Sequence, residues 1–149
     1  MKYVALMLLL ASLISVAAYN NTLSGSQTAA PEAEGIALNL TAAGDLPGMT
    51  KVSLHREGGN VTGGSLRLTV LPQHADASSS ERGQLVGTIS GGTVTLNSEG
   101  TLSSASGVQV TIQSGTGEFA SVTSGTATLN ITASSENPTQ LSGTLVLNF

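Results

Sequence analysis

The chain has 149 residues, no cysteine, no tryptophan, and five basic against nine acidic residues, for a net charge of −4. Without thiols it can have no disulfide, thiolate metal site or dithiol redox motif, so packing and hydrogen bonds alone must hold it. Without any run of like charge it has no means of gripping a nucleic-acid backbone or an anionic membrane surface, and nucleic-acid binding is excluded.

The N-terminus, "MKYVALMLLLASLISVAA", places Lys2 before an apolar run from Val4 to Ala18. That run is shorter than the roughly 20 residues that span a bilayer, and no basic flank follows it. Val16 and Ala18 supply the small residues that precede a cleavage site, so residues 1–18 read as a secretory signal peptide cut after Ala18. A retained signal anchor is the alternative. Cleavage leaves four basic residues, Lys51, Arg56, Arg67 and Arg82, against nine acidic ones, a net charge near −5. The remaining length suits one domain with a real core. The next stretch, "YNNTLSGSQTAAPEAE" (residues 19–34), is polar, lacks either period, and reads as a flexible linker.

From Gly35 to Phe149 the dominant signal is alternation with a period of two, which sends successive side chains to opposite faces of a strand. Ile36, Leu38 and Leu40 share one face of "GIALNLTA", and Val52 and Leu54 share one in "MTKVSLHR". Leu66, Leu68 and Val70 do the same in "SLRLTVL", with Arg67 on the other phase. Further along, "ISGGTV" resembles a two-residue hairpin connection between Ile89 and Val94. "GVQVTIQ", "TATLNIT" and "LSGTLVLNF" continue the alternation to the end of the chain. Short turns at Gly44–Gly48, Glu57–Asn60 and Ser98–Gly100 punctuate the pattern, and only "PQHADASSSERG" (Pro72–Gly83) is a long connection. No apolar stripe at helical spacing follows the leader. The expected fold is all-β: a single antiparallel β-barrel, or closed sandwich, of about eight strands over residues 35–149.

The stretch "SGTGEFASVTSGTATLNIT" (Ser114–Thr132) contains a glycine pattern that superficially suggests a phosphate cradle. The dinucleotide fingerprint would need glycine where Ala120 stands, and a helix after it; a strand pattern follows instead. Gly115 and Gly117 therefore read as turn residues, Phe119 as a core ring, and Gly125 as a bend in a long strand from Glu118 to Ala133. Gly115-Thr116-Gly117-x-Phe119-Ala120, with Gly125 and its alternating strand, resembles the corner of the dirigent and allene oxide cyclase barrels and their exported bacterial look-alikes. The likeness covers about twenty residues. It implies an eight-stranded antiparallel barrel with an apolar central cavity, often trimeric; the catalytic positions of those families have no counterparts here.

Few side chains offer chemistry. His55 ends a strand beside Arg56 and Glu57 and reads as a solvated edge residue. His74, Asp76, Glu81 and Arg82 form the densest polar cluster, in the long loop, and His74, Asp76 and Arg82 are the candidate ligand-binding residues. His-x-Asp supplies too few ligands for a metal, and neither a metal nor a cofactor is expected. The serine-hydrolase elbow is absent. Asn20, Asn39, Asn60 and Asn130 begin N-x-Thr triplets, which matter only in a eukaryotic secretory pathway. Outside the leader the aromatic residues are Tyr19, Phe119 and Phe149, too few for a conventional sugar-binding platform.

The resulting expectation is an exported, secreted or periplasmic barrel, non-enzymatic, taking a small apolar ligand or serving as an envelope module; a homo-oligomer is compatible with it. A cyclase- or dirigent-like enzyme is the alternative. A small outer-membrane barrel is a further one, because "LSGTLVLNF" resembles a closing strand, but the aromatic girdles are missing.

Overall fold

The computed structural model describes residues 18–27, 35–72, 81–98 and 100–149. The eight strands are β1 (Ala18–Ser26), β2 (Gly35–Gly44), β3 (Gly48–Glu57), β4 (Asn60–Val70), β5 (Gly83–Leu96), β6 (Leu102–Gly115), β7 (Gly125–Ala133) and β8 (Gln140–Asn148). A single 3-10 turn, Gly117–Phe119, lies between β6 and β7. Each strand pairs antiparallel with the next, and β1 pairs with β8 from Ala18↔Asn148 to Ser26↔Gln140, so the sheet closes on itself. The expected all-β antiparallel barrel is the fold. Closure leaves no open sheet edge.

Alternation does what its period requires. Leu38, Leu40, Val52, Leu54, Leu66, Leu68, Leu85, Ile89, Val108, Val110, Leu129, Ile131, Leu145 and Leu147 all turn inward and are buried. An eight-stranded barrel has an interior of the size that such side chains fill. The outward phases carry serine, threonine and asparagine. One belt of hydroxyls crosses six strands in register: Thr95 faces Ser104, which faces Thr132, then Ser142, Ser24 and Thr41. Strands β1, β2, β5, β6, β7 and β8 contain no Asp, Glu, Lys, Arg or His at all. Every charged residue within a strand therefore lies on β3 or β4.

Three local expectations need correction. The stretch read as a flexible linker supplies β1 over Ala18–Ser26, the strand that closes the barrel. Its inward phase is Tyr19, Asn21, Leu23 and Gly25, continued by Gln27 just past the strand, and it shows little hydrophobic alternation because two amides and a glycine interrupt it. The Asn21 side chain donates from Nδ2 to the Leu46 carbonyl at 2.7 Å and accepts from the Leu46 N–H at 2.9 Å, tying down the β2–β3 turn. At the other end, Gln27 donates from Nε2 to the carbonyls of Leu102 (2.7 Å) and Pro138 (3.0 Å) and accepts from the Leu102 N–H (2.9 Å). Each buried amide thus pairs with main chain as a neighbouring strand would, which removes the cost of burying it.

Gly91–Gly92, expected as a hairpin, lies inside the 14-residue strand β5. Pairing with β6 shifts register on both sides of Gly91, then resumes at Val94↔Ala105 and Thr95↔Ser104. Gly92 has φ of +135°, and a Cβ there would stand 2.8 Å from the Val108 Cα. The pair is a bulge that bends one strand where neighbouring backbone comes close, and does not reverse the chain. Finally, the strand expected over 118–133 begins only at Gly125; the 3-10 turn and a loop precede it. The expected total of about eight strands is met because β1 is gained where the Gly91–Gly92 hairpin is lost.

One inward residue breaks the aliphatic pattern without compensation. Thr50, 1% exposed, stands on β3 opposite Leu40 of β2 and Leu68 of β4, and its Oγ1 has no hydrogen-bond partner among the described residues. A buried hydroxyl left unpaired carries its full desolvation cost. Thr50→Val, which replaces the hydroxyl with a methyl of similar size, is expected to stabilise the barrel by about 1 kcal/mol. Urea unfolding would show this as a higher midpoint at unchanged slope, and a lower midpoint would mean that the hydroxyl is satisfied.

Candidate functional site

The alternating strand directions bring five chain segments to one end of the barrel, its base. They are the start of β1, the β2–β3 turn, the ends of the β4–β5 connection, the β6–β7 loop, and the residues after β8. The β6–β7 loop is the glycine-rich corner of the sequence. Gly115 ends β6, where a Cβ would fall 2.2 Å from the Phe119 carbonyl oxygen. Gly117 has φ of +59°, and a Cβ there would fall 2.4 Å from the Arg82 carbonyl oxygen. Both positions require glycine for the backbone's own sake.

Main-chain bonds lock the corner onto the start of β5 and the residue before it: Thr116 N–H donates to the Gln84 carbonyl at 2.9 Å, and Glu118 N–H to the Arg82 carbonyl at 2.9 Å. The amides of Thr116, Glu118, Phe119, Ala120 and Val122 are thus spent on protein partners, in keeping with the structural reading of this stretch. Phe119, in turn, is driven into the core end and is 8% exposed.

Around this corner lies a pocket of about 510 Å³, whose walls include Tyr19, Phe119, Val122 and Phe149, with Glu118 and Asn148 among its polar groups. The Tyr19 and Phe149 rings stack at 4.6 Å between centroids with an 18° interplanar angle. Phe119 meets Phe149 edge-on at 6.2 Å and 85°. All three aromatic residues among those described therefore converge on one site. Such pairs contribute roughly 0.5–1.5 kcal/mol beyond their burial, yet Tyr19 and Phe149 remain only half-buried and present apolar surface to the pocket. Its volume falls within the range of small-molecule sites.

Of the candidate ligand-binding residues, His74 and Asp76 lie outside the described residues. Arg82 is described: its Nε donates to the Glu118 carboxylate at 2.7 Å, with the two side chains 33% and 56% exposed. At that exposure the pair adds only about 0–1 kcal/mol, but it holds Glu118 at the pocket mouth. Glu81 accepts from Gln84 Nε2 at 3.3 Å. His55 is exposed near the far end of β3, away from the base. Among the described residues no group of three or more His, Asp or Glu is arranged to hold a metal. Ser121, Thr123 and Ser124 also line the pocket.

Residue-by-residue reading of the sequence missed the aromatic cluster. Tyr19 and Phe149 are 130 positions apart in the chain, and only the β1–β8 pairing, with Tyr19 opposite Leu147, makes them neighbours. The available signal was the scarcity of aromatics itself, since the three lie on three of the five segments that meet at the base.

Fold and site together define a small up-and-down β-barrel with a charge-poor wall and an open aromatic pocket at one end. No protein-family model, curated protein or solved structure matches the chain.

Proposed function

We propose that this protein is an exported, non-enzymatic β-barrel that binds a small, mainly apolar molecule in the pocket at its base. The convergence of Tyr19, Phe119 and Phe149 on one open pocket carries this reading. A chain with so few aromatics commits all three of the described ones to one place, and two of them are left partly unburied, a cost in apolar exposure that a ligand would remove.

Two features weigh against the enzyme reading. The buried polar residues among those described are Asn21, Gln27 and Thr50, so no acid or base faces the interior to steer a reactive intermediate. The side-chain amides of Asn21 and Gln27 are also engaged with main chain, each both donating and accepting. The outer-membrane reading is disfavoured by the polarity of the wall, which is hydroxyl-rich outside and aliphatic inside, the inverse of a lipid-facing barrel.

The test uses the mature protein, in which Tyr19 is the only tyrosine and there is no tryptophan. Titration with cyclohexanol and with short-chain alcohols, which do not absorb where tyrosine does, is expected to change Tyr19 emission saturably. It should also shift the backbone amide signals of Val122, Gly125 and Phe149. Phe149→Ala should weaken binding about tenfold or more, as loss of a stacked aromatic anchor does. Saturable binding that ignores Phe149, or no saturation by any member of the panel, would overturn the proposal.

A further inference from the structure

We propose that the outer wall of the barrel carries a site for a phosphate- or sulfate-type oxyanion, built on Lys51 and Arg67. The two residues are directly opposite each other on β3 and β4, both exposed. Like charges facing each other across a strand pair are destabilising. This barrel otherwise keeps its wall nearly free of charge, with six of the eight strands carrying none. It places two cations side by side on a protein whose net charge is negative.

Neither cation is neutralised by a described residue. Arg82 is taken by Glu118 and Arg56 bonds the Gly58 carbonyl at 2.9 Å, whereas the side chains of Lys51 and Arg67 form no ion pair or hydrogen bond with any described residue. Beside them is a groove of about 250 Å³ lined by Lys51, Ser65, Leu66, Arg67 and Val86. In the same register row Asn39 flanks Lys51 on β2, and Val86 flanks Arg67 on β5. The row thus sets an ammonium, a guanidinium and a carboxamide side by side, with the Ser65 hydroxyl in the groove.

These are the donors a tetrahedral oxyanion takes: the guanidinium bonds two oxygens in a fork, and the lysine supplies a point charge. An anion bridging the pair would also turn their mutual repulsion into attraction. The half-buried Val86 offers a small apolar surface next to the charges, which suits a short ester arm as well as the free ion. One such anion is a different matter from a polyanion, for which the acidic surface has no extended basic track.

The experiment compares the mature protein with its K51Q/R67Q variant in chloride, phosphate and glycerol phosphate at matched ionic strength. In the wild type, phosphate should raise Tm by a few degrees over chloride and shift the amide signals of Ser65, Arg67 and Val86. The double variant should lose both responses while melting in chloride no lower than wild type, since the repulsion is gone. The variant also controls for the general stabilisation that kosmotropic anions give every protein, because that effect would persist in it. Tighter binding of glycerol phosphate than of phosphate would identify an ester as the ligand, and equal binding the free anion. An equal phosphate response in wild type and variant, or amide shifts that do not map to β3–β5, would overturn the site.

Discussion

Phe119→Ala is expected to cost about 3–5 kcal/mol of stability, the largest effect of any single substitution outside the centre of the barrel. The ring closes the base of the core beneath the Gly115–Gly117 corner and meets Phe149 edge-on. Gly115 leaves no room for anything larger above it, and the corner is bonded to β5 through Thr116 and Glu118. The surrounding backbone therefore has little freedom to collapse into the space, and cavity cost rises with the volume that stays open. Urea unfolding of the variant would measure this directly. A loss below about 1 kcal/mol would mean that the loop relaxes over the missing ring and that the corner is not the rigid element its hydrogen bonds indicate.

Leu129→Ala is the second large effect, at about 2–5 kcal/mol. Leu129 is wholly buried in the middle of β7, between Val108 of β6 and Leu145 of β8 in register. Three consecutive strands thus meet at one layer of the core, and deleting one side chain strips contacts from the other two. Arg67→Ala, on an outward phase, is expected to change stability by no more than roughly 0.5 kcal/mol, and in the stabilising direction if relief of the Lys51 repulsion dominates. Comparable losses at the two positions would require both faces of the sheet to be covered.

The contrast between these two substitutions was legible in the sequence, because a strand's side-chain period is fixed by backbone geometry. Alternation of Leu, Val and Ile against Ser, Thr and Asn assigns inside and outside wherever both phases are populated, as in β2, β4, β7 and β8. Where the inward phase holds amides or glycines, the pattern fails. β1 reads as a linker because Asn21 and Gln27 are inward residues whose burial is made tolerable only by Leu46, Leu102 and Pro138, residues 25 to 111 positions away. Likewise Gly91–Gly92 has the local chemistry of a turn, and the backbone of Val108 opposite decides that it is a bulge instead.

The candidate sites divide along the same line. The acidic balance, the lack of thiols and the alternating strands belong to composition and local order, so the sequence by itself determined the all-β class and left no cysteine for thiolate chemistry. It also marked Gly115, Gly117 and Phe119 as a structural corner, because the helix that a phosphate loop needs is missing locally. Tertiary structure alone decided that β1 closes on β8, which brings Tyr19 to Phe149, and that β3 and β4 pair in the register that sets Lys51 against Arg67. Pairing register depends on the summed packing of every inward side chain and on turn geometry. A contact between residues far apart in the chain therefore has no signature in the neighbourhood of either one.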